Sequence, residues 1–221
     1  MLGQIVGVIK PKGPTSQQVL TRIKHALGIK KIGHGGTLDP LASGVLLVGI
    51  GREATKHLWE AEHGEKEYIA TMELGAESTT EDAEGEKTVW SEVVKPTTAK
   101  VRSVCNSFLG TINQVPPRYS ALKIAGKAAY KFARKGVVLE MTSRHVEIKS
   151  IEIIEYEFPR LVIRVVTGPG AYVRSLARDI GRALKTGAYI SDLVRTRVGS
   201  MTLDRCYTLD YFKHATKDSV Q

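Results

Sequence analysis

The residues best suited to chemistry lie in one stretch, Gly33-His34-Gly35-Gly36-Thr37-Leu38-Asp39-Pro40-Leu41-Ala42-Ser43-Gly44. Glycine allows backbone angles and close approaches that other residues do not, and Pro40 confines Asp39 to extended conformations. The segment therefore presents a carboxylate from a rigid loop, where it can act as a nucleophile or an acid/base. Taken alone, the same residue types also suit a turn or a phosphate-cradling loop. Two basic stripes follow further along. Lys123, Lys127, Lys131 and Lys135 recur at i, i+4 within Arg118–Lys135, which contains no acidic residue. Read as a helix, they form one cationic edge whose like charges repel, a cost that a partner's phosphates would offset. The second stripe is Arg174, Arg178, Arg182 and Lys185.

The elements that must position these residues are legible in part. Ile5–Ile9 alternates as a strand and stops at Lys10-Pro11-Lys12-Gly13-Pro14. Thr15 or Ser16 caps a helix carrying Val19, Leu20, Ile23 and Leu27 on one face and ending at Gly28. Val45–Ile50 suits a buried strand, and Glu53–Glu62 and Thr97–Leu109 read as helices. Strands are expected at Tyr68–Leu74, in parts of Val146–Ile154 and at Val162–Val166. Tyr172–Lys185 is the clearest helix, through Val173, Leu176, Ala177, Ile180 and Leu184. The alternation lacks a strict βαβ rhythm, so an α+β fold follows, a mixed and mainly antiparallel sheet flanked by helices. Without a long linker or repeat, residues 1–221 read as a single domain.

Composition narrows the partners. At 221 residues with 42% hydrophobic and 25% charged, the chain can bury a core. It carries no run of about 18 apolar residues of the kind that spans a membrane. Cys105 and Cys206 stand in no metal-ligand spacing, which points to a reducing, cytoplasmic setting. The net charge is +9, unevenly spread. Glu60–Glu92 holds eleven acidic and two basic residues, a net of −9, which leaves thirty basic and twelve acidic elsewhere, a net of +18. Such a balance points to a polyanion, most often a nucleic acid.

Several segments together carry a resemblance. Lys10–Ser16 and Gly33–Gly44 resemble the opening of the TruB family of tRNA pseudouridine synthases. In order follow Lys66-Glu67-Tyr68, resembling the family's tyrosine motif, and Thr80–Gly85, resembling its acidic loop. Gln114–Lys123 resembles its RNA-gripping thumb, and Gly168–Asp179 and Leu193–Gly199 complete the series. Six ordered motifs over roughly residues 5–200 are far more specific than any one of them.

The resemblance implies the pseudouridine synthase fold with a basic thumb at about residues 114–146. It also implies isomerisation of uridine to pseudouridine in the T loop of tRNA, conventionally at position 55. Asp39 matches the essential aspartate, Tyr68 the tyrosine that stacks on the target base and takes the C5 proton, and Arg174 the arginine paired with the aspartate. His34 matches a histidine that enters the T loop as the target flips out, Tyr172 an aromatic neighbour, and Leu193 a residue lining the uracil pocket. Lys10, Lys123, Lys127 and Lys131 are expected at RNA phosphates. Asp82 matches the acidic loop, as a structural or RNA-proximal residue. No cofactor or metal is expected, no obligate protein partner, and a monomer. The chain stops soon after Leu209-Asp210-Tyr211-Phe212, leaving no room for the C-terminal PUA-type module of many family members. The alternatives are a relative that binds or folds tRNA without chemistry, and a phosphate-binding hydrolase using the glycine loop. The trio Asp39, Tyr68 and Arg174 argues against the first, and the lack of a Gly-x-x-x-x-Gly-Lys-Ser/Thr motif against the second.

Overall fold

In the computed structural model, which describes residues 3–120, 122–124, 126–133, 135–137 and 139–215, local sequence signals fix the first elements. In chain order the elements are β1 (Ile5–Lys10), α1 (Ser16–Leu27), β2 (Ile32–Gly35), β3 (Ser43–Ile50), α2 (Arg52–Glu62), β4 (Lys66–Leu74), β5 (Ala76–Ser78), β6 (Lys87–Val89), α3 (Thr98–Ser107), β7 (Gly110–Gln114), β8 (Lys123–Ile124), β9 (Lys127–Ala128), α4 (Ala129–Ala133), β10 (Arg144–Glu157), β11 (Arg160–Thr167), α5 (Val173–Ala183), β12 (Ala188–Val198), β13 (Met201–Thr202) and α6 (Leu209–His214). Thr15 opens α1 with a reciprocal cap: the Gln18 amide donates to Thr15 Oγ1 at 3.1 Å, and the Thr15 amide donates to Gln18 Oε1 at 2.8 Å. Both bonds satisfy donors that a helix start otherwise leaves open. Gly28 closes the helix in the left-handed conformation.

The chain folds as two compact units, Met1–Tyr68 with Leu193–Gln221, and Ile69–Asp192. In the first, β3 pairs antiparallel with β1 and β2, and parallel with β12 through Val194↔Ser43 and Arg195↔Gly44. Leu46, Val48 and Ile50 of β3 pack with Val19, Leu20 and Ile23 of α1 and Phe212 of α6. Val45 and Leu47 of the same strand pack with Leu58 of α2 and Val198. Helices thus cover both faces of β3, which explains its continuous apolar run. Each fully buried aliphatic side chain contributes about 1.5–3 kcal/mol.

In the second unit the strand order is β12, β4, β11, β10, β7. Strand β10 is long enough to pair antiparallel with β7 at its start and with β11 along most of its length. Ala70, Met72 and Leu74 of β4 alternate inward, and α3 and α5 bury Val101, Val104, Leu176, Ala177 and Ile180. Both units are thus mixed, mainly antiparallel α+β structures, as the sequence leads one to expect.

Three expectations are corrected. Gly33–Gly36 is not a loop throughout, because Ile32–Gly35 forms β2. Its glycines admit α2, since a Cβ on Gly35 would stand 3.2 Å from the Leu58 carbonyl oxygen. The thumb lysines do not share one helix. Lys123 and Lys127 lie in the hairpin β8–β9, turned at Gly126 with φ +78, and Lys131 lies in the short α4. Ala121, Ala125, Arg134 and Val138 of that segment lie outside the described residues. The third concerns the second basic stripe, which is not one basic face: Arg174 is buried and Arg178 half-buried, while Arg182 and Lys185 are exposed. Among the described residues, no helix is long and apolar enough to cross a membrane.

Candidate active site

Asp39 sits, half-buried, in the loop that joins β2 to β3. The loop is anchored along its length. Ser16 Oγ donates to the Leu38 carbonyl and accepts from the Leu38 amide, both at 3.0 Å, so the start of α1 grips the residue before Asp39. The Gly13 amide donates to the Pro40 carbonyl at 2.8 Å, and the Ala42 amide closes onto the Asp39 carbonyl at 3.1 Å. Lys10 Nζ donates to the Ala42 carbonyl at 2.6 Å and to the Pro11 carbonyl at 2.9 Å. Lys10 is 0% exposed, so these bonds lie inside the fold. Lys10 thus works beneath the loop, bracing the main chain that carries Asp39.

The same unit carries His34, Tyr68 and Leu193. Tyr68 and Leu193 are buried at inward positions of β4 and β12. His34 lies in β2, and its Nδ1 is a buried nitrogen with no hydrogen-bond partner among the described residues. Burial holds its pKa below 6.5, opposed by the Glu62 carboxylate and reinforced by the Arg195 guanidinium. The ring is accordingly neutral around pH 7. Lys66, two residues before Tyr68, is also buried and donates to the Glu62 and Gly64 carbonyls. Burial, and to a lesser extent Arg195, pulls its pKa below the ordinary lysine value. Thr196 Oγ1 donates to Glu67 Oε1 at 2.7 Å, and the Gly199 amide donates to the Glu65 carbonyl at 2.8 Å. The end of β12 therefore holds the segment that leads into Tyr68.

Arg174 and Tyr172 belong to the second unit, at the start of α5. Arg174 is 4% exposed and donates to the Thr80 and Tyr119 carbonyls, each at 2.8 Å. It also lies 3.6 Å from the carboxylate of Asp82. Asp82 is itself buried and accepts from Thr80 Oγ1 and the Glu84 amide, which makes it a structural residue of the acidic loop. Tyr172 is held from both sides. The Gln114 side chain accepts from the Tyr172 amide at 2.8 Å and donates to its carbonyl at 3.1 Å, and the Arg144 guanidinium lies 5.0 Å from its ring centre. Arg178 pairs with Glu81 and Asp179, and Arg182 makes a bidentate pair with Glu77. The acidic segment thus neutralises the α5 arginines. Of the thumb lysines, Lys131 and Lys135 are exposed.

A loop held this firmly keeps the Asp39 carboxylate in one place, as a nucleophile or an acid/base requires. Comparison with known proteins decides which family this is. The N-terminal domain of TruB family pseudouridylate synthases matches residues 24–173, and the C-terminal domain of tRNA pseudouridylate synthase B matches residues 174–219. The chain belongs to the TruB family. A tRNA pseudouridine synthase B from Phocaeicola vulgatus is 42% identical over 95% of this chain and 92% of that protein. Its counterpart from Burkholderia pseudomallei is 45% identical over 95% of this chain and 68% of that protein. Among solved structures, a Cbf5–Nop10–Gar1 complex aligns with a TM-score of 0.72 at 33% identity, covering 94% of this chain. The archaeal box H/ACA sRNP Nop10–Cbf5 complex aligns with a TM-score of 0.70 at 30% identity. The chain spans about half the length of those two matched chains, 54% and 52%.

Among TruB motif residues, Asp39, His34, Tyr68 and Leu193 fall in one unit, and Arg174 and Tyr172 in the other. Sequence reasoning overlooked Ser16, Gln114 and Arg195 as supporting residues. For Arg195 a signal existed: a charged residue two positions after inward-facing Leu193 in a strand must be buried with it.

Proposed function

We propose that this chain isomerises uridine to pseudouridine in the T loop of tRNA, at position 55, with Asp39 as the nucleophile. One observation supports it above the rest: Asp39 stands on a loop tied down on either side by Ser16, Gly13 and Lys10. The relatives' name, tRNA pseudouridine synthase B, supplies the substrate class.

The carboxylate attacks the target nucleoside, and the bond from N1 to C1′ breaks. The uracil turns, C5 bonds to C1′ as the bond to the carboxylate breaks and frees Asp39, and the C5 proton leaves while N1 gains one. Nothing is oxidised or hydrolysed, so the reaction requires no cofactor. Arg174 takes the part of the arginine that the family pairs with its catalytic aspartate. Tyr68 stacks on the extruded base, repaying part of the unstacking cost, and removes the C5 proton. His34, neutral in the free protein, takes the place of the flipped base in the T loop. Leu193 lines the uracil pocket and Tyr172 stands beside Arg174. Lys123, Lys127 and Lys131 meet phosphates. The enzyme acts as a cytoplasmic monomer.

The test is incubation with an unmodified tRNA transcript followed by chemical mapping of pseudouridine. Product is expected at uridine 55, and its absence from the T loop refutes the reading. Asp39→Asn is expected to abolish product while tRNA affinity stays within about twofold, because the substitution removes a transition-state role and not a binding contact. A wild-type protein that binds tRNA yet makes no product would establish the alternative, a binding or folding module.

A further inference from the structure

We infer that Arg195 is the positioning residue that closes the Asp39 loop, joining its two ends through one buried guanidinium. The inference rests on the reading of Asp39 as nucleophile. Arg195 is 1% exposed, one of the largest fully buried side chains in the protein. Its Nε donates to the Val45 carbonyl at 2.7 Å and Nη2 donates to the Gly36 carbonyl at 2.7 Å. Gly36 is the residue after β2, and Val45 lies just inside β3, so Asp39 lies on the segment between the two anchored oxygens. The main chain of Arg195 faces Gly44 in the parallel pairing of β12 with β3. A Cβ at Gly44 would fall 2.2 Å from the Arg195 carbonyl oxygen, and one at Gly36 would fall 3.2 Å from Nη1. Loop and clamp thus fit each other at both ends.

A buried guanidinium bonded to two carbonyls is a costly arrangement for stability alone, since an apolar side chain would fill the space without desolvating a charge. What the guanidinium adds is geometry. Its planar fork aims several donors at fixed angles, whereas a lysine ammonium is a single point that cannot reach both oxygens in the same way. Holding both ends of the loop fixes where the Asp39 carboxylate stands. A displacement of about 1 Å in such a group costs on the order of a hundredfold in rate.

The experiment compares Arg195→Lys with wild type in single-turnover conversion of tRNA, alongside equilibrium tRNA binding and urea denaturation. The expected result is a rate roughly 10- to 100-fold lower with tRNA affinity within about twofold, a split that marks lost positioning rather than lost binding. An unchanged rate overturns the proposal. So does a rate loss that only tracks the unfolded fraction or a weaker affinity. A second measurement needs no variant: the Arg195 Nε–H of the wild-type protein is expected to exchange with solvent far more slowly than an exposed arginine's. Exchange at the exposed rate overturns the proposal even if the variant does not fold. If the wild-type enzyme forms no pseudouridine, the proposed function fails while this exchange measurement still reads the clamp.

Discussion

At the scale of single residues, the site is built largely from polar side chains bonded to main-chain atoms. Lys10 and Ser16 hold the Asp39 loop, and Gln114 holds Tyr172 by imitating a strand neighbour. Gln114 is wholly buried. Removing its amide in Gln114→Ala leaves the Tyr172 amide without its partner, a cost of about 1–3 kcal/mol, while the Tyr172 carbonyl keeps the Leu176 amide at 3.0 Å. Urea denaturation should show a loss of roughly 1–3 kcal/mol on that basis. A loss below about 1 kcal/mol would mean that water replaces the amide. His34 gives a pH prediction. Burial holds its native pKa below 6.5, so below that pH the unfolded chain takes up a proton that the native ring refuses. Stability from this group is therefore complete above 6.5 and declines as the pH falls through and below it. The denaturation midpoint of His34→Asn should fall less steeply with acid over that window than wild type. Parallel pH profiles would show that the ring protonates as easily in the native state as in the unfolded one.

At the scale of elements, the close approach of β3 to β12 gives a sharper test. Gly44 combines φ +105 with a Cβ position 2.2 Å from the Arg195 carbonyl. Gly13 has nearly the same φ, +108, but nothing within 4 Å. Gly13→Ala should therefore cost only the strain of the left-handed backbone, about 1–3 kcal/mol. Gly44→Ala must also push two strands apart, and should cost about 3 kcal/mol or more beyond that. Equal losses in thermal or urea unfolding would show that the strand pairing yields without penalty. These pairings also show what the sequence conceals. Helix α1 was legible because its cap residues and apolar face are local, and β3 because a doubly covered strand reads as an unbroken apolar run. Strand β2 was hidden because its glycines, needed to admit α2, carry no strand signal. Strand β12 was hidden because its polar residues, Thr196 and Arg195 among them, are matched to main-chain oxygens over a hundred residues away in sequence. The lysine spacing in the thumb imitated a helix that Gly126 breaks. Asp39 was legible from its motif, whereas Lys10 and Ser16 show that they hold its loop only once the chain has folded.

At the scale of the whole molecule, the charge asymmetry takes on a different meaning. The acidic stretch is not simply set apart from the basic one, because Glu77, Glu81 and Asp82 stand against Arg182, Arg178 and Arg174. Desolvation raises the Glu81 pKa even so, with the arginines and Ser175 pulling the other way, which marks this cluster as internal structure. The charge left to face a polyanion must then come from elsewhere. No acidic residue precedes Asp39, and Arg22, Lys24, Lys30 and Lys31 are exposed there. The thumb adds the exposed Lys131 and Lys135. Each phosphate neutralised by such a group releases counterions and contributes about 0.7–0.9 to the slope of log affinity against log salt. Lys131→Glu combined with Lys135→Glu should therefore lower that slope by roughly 1.4–1.8 and weaken tRNA binding at moderate salt. Arg182→Gln removes as formal a charge, but one already paired with Glu77, and should leave the slope nearly unchanged. A salt titration of tRNA binding on the two variants separates the cases. Equal slopes in both would place the thumb lysines on a solvated face and move the search for phosphate contacts to Arg22–Lys31.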